Sequence, residues 1–526
     1  MKYKSIPLLA IIPLLAACNN SGPLTFVPYT SYQDEQVLNL DENEQYYYRK
    51  SQITPINTIK GDYSDFRDFL KDNKDNRKHI IAPSKGEDKM LVVPIRFSDS
   101  DNSISLEDKT IYLQNAFFGD TSVTKMESVA SFYNKSSYGQ LKITGDVAPW
   151  YQLDIASNEW KKKGNEQINA SRNITIEAIK ELKKNPDFDL SKYDNNNDGY
   201  VDMVYTIYDY PYCDTSEGED QTEDLFWAYT DFVKDSDNGA ASGETLVNAY
   251  SWSSLYFTNF HKERKVDSSI YIHETGHLLG LSDYYNTEKK KQGYYYQPTG
   301  FFDLMDSNQG DHTALSKYLL NWTSPKVIKE GINGVIKLRD FSKTGDYLLI
   351  PLDGSYSNNP FGEYLLLEYF CPNGLNKSNG LSYQDFDING DKVVFSFPNY
   401  HGLKVYHVDA RLAYFTKKTS ISISASRICM IGEDSPYLTM EAAVDFAFDN
   451  SIKTESADKE SVLYHLLEKS GENTFKDGKL ASNNTLFRYG DTFGVDTFQD
   501  LSERAHYTFK ITDVGSNAIS IKFTSK

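Results

Sequence analysis

Ile272-His273-Glu274-Thr275-Gly276-His277-Leu278-Leu279-Gly280-Leu281-Ser282-Asp283 sets two histidines four residues apart in an apolar stretch. On a helix that spacing stacks both imidazoles on one face, one turn above the other, within reach of a single metal ion. Glu274, beside the first histidine, is placed to take a proton from a metal-bound water. Gly280 is predicted to end the helix in the left-handed conformation that glycine enters without strain. The turn it makes can bring Asp283 back as a third ligand, although Asp306 further along is also available. Two histidines, one carboxylate and one open position describe a hydrolytic zinc site, since a structural site is closed by four protein ligands. The extension from HExxH to HExxHxxGxxD is much more specific than the core motif. The plain alternative is a helix with two buried, hydrogen-bonded histidines.

The flanks fit this reading. Asp267 or Ser268 can cap the helix, and Ile270, Ile272, Leu278 and Leu279 surround the polar metal face. Gly276 is a poor helix former, by about 1 kcal/mol against alanine, so its lack of a side chain points to close approach by another backbone or a substrate. Downstream, Gly300-Phe301-Phe302-Asp303-Leu304-Met305-Asp306 offers a methionine in a tight turn, an apolar floor beneath the histidines. His312, or one of Tyr284, Tyr285 and Tyr294 to Tyr296, is a candidate donor to the oxyanion of a tetrahedral intermediate.

These segments resemble the immune inhibitor A peptidases, secreted or surface zinc metallopeptidases of bacteria. The resemblance rests on His273-Glu274 through Asp283-Tyr284-Tyr285 and on Asp303-Leu304-Met305-Asp306. Weaker matches run from Leu91-Val92-Val93-Pro94-Ile95-Arg96-Phe97 through Ser131-Phe132-Tyr133 and Ser137-Tyr138-Gly139 to Leu315–Trp322, Gly402–Asp409 and Phe487–Asp491. It implies His273 and His277 as zinc ligands, Glu274 as the catalytic acid/base and Asp283 as third ligand. It also implies protein or peptide substrates.

Residues 1–18 read as a lipoprotein signal peptide: a short basic head, an apolar run too short to span a bilayer, then Leu15-Ala16-Ala17 before Cys18. The Cys18 thiol is the expected lipid acceptor and the expected membrane hold. This places the chain at the bacterial cell envelope, lipid-anchored and facing outward, or shed from there to the extracellular space. Cys213, Cys371 and Cys429 remain, an odd set that cannot all pair internally.

The 526 residues carry 55 basic and 74 acidic side chains, a formal net charge of −19. That balance argues against nucleic acid as a partner and against an anionic membrane surface. The 39 tyrosines suit peptide or glycan contacts, but equally reflect compositional habit.

The expected class is α+β: a zincin-like metallopeptidase domain followed by a β-sandwich-like C-terminal domain. Residues 19–85 form a polar tether or pro-segment, with a helix read near Phe66–Asp72. Residues 86–328 form the metallopeptidase domain, with a strand from Met90 to Phe97 and a helix through Ile174, Ala178 and Leu182. Residues 329–526 change to short alternating runs bounded by Gly, Asn and Asp, the texture of a sandwich. The stretch between Thr454 and Asn484 reads as loop with one short helix.

Asp194-Asn195-Asn196-Asn197-Asp198-Gly199-Tyr200-Val201-Asp202 puts oxygen side chains at positions 1, 3, 5 and 9 of a calcium loop, with glycine at 6. Asp194, Asn196, Asp198 and Asp202 are the expected ligands. Position 12 is Tyr205 in place of glutamate, so an Asx-rich turn is the other reading. Asp385 to Asp391 repeats the pattern weakly and reads equally as a turn between strands. No serine elbow, phosphate loop or dinucleotide fingerprint competes. Two functions from different classes remain: a cell-surface zinc endopeptidase, or a non-catalytic surface lipoprotein that binds host or cell-wall proteins or glycans. The intact His-Glu-His set favours the enzyme.

Overall fold

The computed structural model describes residues 24–30, 47–48, 82–161, 167–212, 226–260, 262, 265–285, 296–307, 310–353, 363–376, 385–388, 391–394, 401–409, 464–482, 484–494 and 496–526. The expected lipid acceptor Cys18, the helix read near Phe66, Cys213, Cys429 and Tyr294–Tyr295 lie outside these residues.

The chain enters its first sheet at β1 (Gly86–Arg96), whose second half, Met90 to Ile95, is an unbroken apolar run. Then come α1 (Leu106–Phe118), α2 (Val129–Ser136), β2 (Leu141–Val147), α3 (Gln167–Leu182), β3 (Val204–Tyr208), β4 (Tyr229–Phe232) and β5 (Ala249–Ser254). Spatial order is β2-β1-β3-β5-β4. Every pairing on that path is parallel except β4 with β5, where Thr230 lies opposite Ser251. β3 and β5 are buried along their whole length, as expected of central strands in a mainly parallel sheet covered on both faces. Met90 and Val92 of β1 pack with α1 and α2, while Leu91, Val93 and Ile95 pack with Ile174, Ala178 and Ile179 of α3. Each fully buried side chain of this size contributes about 1.5–3 kcal/mol.

The motif forms α4 (Ser269–Leu278) in the α1–α2 layer. Of the two candidate caps, Asp267 does the work: its Oδ1 accepts from the Ser269 amide at 3.1 Å, whereas the Ser268 side chain makes no capping bond. Gly280 has φ +92°, its amide bonds the His277 carbonyl, and the Leu281 amide bonds the Gly276 carbonyl. These two bonds are the Schellman pattern, which stops the helix and turns the chain. The methionine segment forms α5 (Leu304–Ser307), and α6 (Ala314–Leu319) follows.

Beyond it lie β6 (Lys326–Ile328), β7 (Gly334–Arg339), β8 (Tyr347–Pro351), β9 (Glu363–Phe370), β10 (Gly402–Asp409), β11 (Tyr464–Leu466), β12 (Thr492–Phe493), β13 (Tyr507–Val514) and β14 (Ala518–Ser525). The short strand Tyr47–Tyr48 joins β6-β8-β9-β10-β11 in one sheet, and β7-β14-β13-β12 make a second. Strand alternation gives the larger sheet two buried faces. Leu348, Ile350, Leu365, Leu367 and Val405 pack against Ile336, Phe509, Ile521 and Phe523 of the smaller sheet. Leu349, Tyr364, Leu366, Tyr406 and Val408 join the cluster that also holds α4 and Met305. Strand β11 falls inside the stretch read from sequence as loop; its three residues are too few to show a period. Asp385–Ile388 and Asp391–Val394 pair as antiparallel strands, so most of the weaker acidic repeat lies on strands.

Candidate active site

The two imidazoles are aimed by backbone carbonyls. His273 Nδ1 lies 3.2 Å from the Leu304 carbonyl, and His277 Nδ1 lies 2.7 Å from that of Leu281. With Nδ1–H donating to these oxygens, each Nε2 lone pair is left free to ligate, the outer-shell arrangement that fixes tautomer and ring orientation. Asp283 Oδ1 sits 3.0 Å from His273 Nε2 and 3.3 Å from His277 Nε2. Tetrahedral ligands held about 2.0–2.1 Å from one ion lie about 3.3 Å from each other, so the three atoms fit the corners of one zinc-sized coordination sphere. The donor atoms of His273, Glu274 and His277 also lie within 4.8 Å of one another.

Electrostatics concentrates here. Burial disfavours a charged His277 imidazole, but the adjoining Asp283 and Glu274 carboxylates outweigh it and push its pKa up to about 10. Burial would raise Asp283, yet the two imidazoles hold it well below the usual carboxylate range. A divalent cation among these atoms would do the same work and compete with the proton for Nε2. Burial pushes Glu274 up, with His277 and His273 pulling the other way. Thr230 of the edge strand β4 donates to Glu274 Oε2 at 3.1 Å. No motif marks Thr230 in the sequence, because the contact spans 44 residues and arises only when α4 packs beside β4.

Met305 is fully buried, and its Sδ would lie 2.4 Å from a Cβ placed on Gly276. The open space at Gly276 therefore serves a side chain, where the sequence pointed to a backbone or a substrate. Asp303 fixes this turn, accepting from the Met305 amide at 2.9 Å and from the Thr313 amide at 2.9 Å. The Tyr284 amide donates to the Met305 carbonyl, which ties the chain after Asp283 to the floor.

Asp306 points elsewhere. Its Oδ2 accepts from Thr299 Oγ1 at 2.5 Å and from the Phe301 amide at 3.2 Å, bracing the turn where Phe301 has φ +73°. Of the two aspartates, Asp283 is the one that lies beside the imidazoles. His312, the oxyanion candidate, is 1% exposed and lies among the rings of Phe132, Tyr133 and Trp322. Tyr284 and Tyr296 are buried too, bonding Ser316 and Asn473. A histidine or tyrosine near a motif in sequence carries no sign of which way it faces.

The acidic loop is compact. Asp194 accepts from the Asp198 and Gly199 amides, Asn196 from the Asp198 amide, and Asp198 from the Tyr200 amide. Asp202 Oδ2 accepts from the Asn195 amide, while its buried Oδ1 has no hydrogen-bond partner. Burial raises Asp202 to about 6, and burial together with Asp202 raises the neighbouring Asp88 to about 8. Tyr205, at position 12, points into the core instead, its hydroxyl 2.7 Å from the Tyr271 carbonyl and 2.7 Å from Thr275 Oγ1 of α4.

A helix-borne histidine pair beside a catalytic-type glutamate, with a carboxylate closing the set and a methionine beneath, belongs to the metallopeptidases. Residues 76–315 match the model of the immune inhibitor A peptidase M6 catalytic domain, a likeness that covers just under half of the chain. No curated protein matches the chain. Among solved structures, the crystal structure of wild-type OgpA from Akkermansia muciniphila is similar over 64% of this chain and 88% of its own, at 13% identity and a TM-score of 0.22.

Proposed function

We propose that the protein is a zinc-dependent endopeptidase of the cell surface, acting on proteins or peptides, with Glu274 as general base. The observation that carries this reading is the convergence of His273 Nε2, His277 Nε2 and Asp283 Oδ1 beside Glu274. Zinc, when bound, polarises the scissile carbonyl and makes a water acidic enough to deprotonate near neutrality. His273, His277 and Asp283 hold it. Glu274, raised by burial and steadied by Thr230, takes the proton of the attacking water and returns it to the leaving amine. The Leu304 carbonyl keeps His273 in place throughout.

Cleavage of an unstructured protein should stop on zinc chelation and return with added zinc. Glu274→Gln should keep stoichiometric zinc and lose turnover; activity surviving in that variant would overturn the assignment. The acidic loop is proposed to hold calcium through Asp194, Asn196, Asp198 and Asp202, supported by the unpaired, buried Asp202 Oδ1. Lipidation at Cys18 is proposed as the anchor; Cys18→Ala that still fractionates with membranes would defeat it.

A further inference from the structure

We propose that Tyr212, Trp227 and Phe257 form a substrate subsite for a bulky apolar side chain, about three residues from the bond that is cut. The inference rests on the peptidase reading above and adds to it a substrate preference. Tyr212 and Phe257 stack with ring centroids 4.3 Å apart and planes 9° apart, and Trp227 meets Phe257 edge-on at 5.8 Å. Trp227 is 39% exposed and Tyr212 37%, so this ordered stack presents aromatic surface to the outside. A large apolar residue at the surface is ordinary when single; two in one stacked group mark a place where something docks.

Position supplies the occupant. Trp227 stands three residues before Thr230, whose hydroxyl reaches Glu274. Three residues of chain span at most about 10 Å, the reach of a substrate chain lying from the reacting carbonyl to its third neighbour. The start of β4 pairs with the end of β5, Tyr229 opposite Trp252, and Phe257 follows in the next turn, Leu255–Thr258. Trp227 and Phe257 therefore share one end of the sheet. Phe257 also packs on the apolar cluster that contains Tyr271, Ile272 and Leu278 of α4, the helix that carries His273, Glu274 and His277. Asp231, the acidic side chain of β4, is paired with Arg172 of α3 at 2.9 Å. The subsite therefore selects by apolar contact.

The test uses full-length protein and a glycine/serine-rich peptide in which one phenylalanine is moved through three positions on each side of the cleaved bond. Phenylalanine three residues away should raise kcat/KM about tenfold or more. Trp227→Ala and Phe257→Ala should erase that gain and leave the phenylalanine-free peptide within about twofold of the parent. Equal losses on both peptides, or no positional preference in the parent, would overturn the subsite. So would a shift in melting temperature or oligomeric state in Trp227→Ala with the preference intact, because the stack would then be covered by this chain or a second copy. Equilibrium binding of the two peptides to Glu274→Gln separates the readings. A phenylalanine preference in binding without any cleavage by the parent would remove the peptidase reading and keep the subsite.

Discussion

Replacing Gly276 by alanine sets two known effects against each other. In an exposed helix interior the change stabilises by about 1 kcal/mol, because alanine is the better helix former. Here the new methyl would meet Met305 Sδ at 2.4 Å and Cε at 3.1 Å, whereas ordinary contact begins at 3.4 Å. Met305 or the helix must therefore yield by about 1 Å. Met305 is fully buried and its backbone is held at both ends, by Asp303 on its amide and by Tyr284 on its carbonyl. Overpacking of a site this tight costs about 3 kcal/mol, so the net loss should be about 2 kcal/mol. Turnover should fall further than stability suggests, because Leu304, which orients His273, moves with Met305; a 1 Å misplacement can cost about a hundredfold. The assay is a double-mutant cycle with Met305→Ala, following chemical denaturation and peptide hydrolysis. In the Met305→Ala background Gly276→Ala should become neutral or stabilising, a coupling of about 3 kcal/mol. A Gly276→Ala single variant that is as stable and as active as the parent would refute the close-packing argument.

Asp283→Ala should weaken zinc binding by more than the roughly 10–100-fold typical of losing an outer-shell partner, while Asp306→Ala should keep stoichiometric zinc and lose only stability; titration against a chromogenic chelator reads both. Millimolar calcium should raise the melting temperature of the parent, by the equivalent of about 2.7 kcal/mol at a hundred times Kd, and should do nothing for Asp198→Ala. Asp88 has a folded pKa raised to about 8 against 3.8 for the free side chain, so its contribution to stability is complete below pH 3.8 and lost as pH rises through 8. Asp88→Asn should remove that decline, gaining on the parent across this window in chelator-treated protein and levelling off above it; parallel melting curves for the two would contradict the assignment.

The helix, its glycine stop and the histidine–glutamate set were legible because each depends on residues within a dozen positions of the others. That Asp283 returns toward the histidines was legible for the same reason, and the choice between it and Asp306 as a ligand was not open to sequence, since both lie near glycine turns. Their difference lies in the partners: Asp306 is held by Thr299 and the Phe301 amide, Asp283 by the two imidazoles. Strands β8, β9 and β10 announced themselves as apolar runs, but their alternation did not tell which face met the peptidase domain. Thr230 left no trace at all. Edge-strand contacts to a helix are decided by packing, and a lone threonine has no pattern to betray it.

The two-faced burial of the β6-β8-β9-β10-β11 sheet bears on how this chain could be taken apart. Leu349, Tyr364, Leu366, Tyr406 and Val408 lie in the same apolar cluster as Met305 and α4. Glu368 reaches across to accept from the Ala314 amide at 2.7 Å, at the very start of α6. A protease cutting near residue 328 would thus nick the molecule without releasing a working half, because each piece would carry a raw apolar face. The catalytic and C-terminal portions share one fate: they should melt together, be degraded together and resist exchange with foreign modules by recombination.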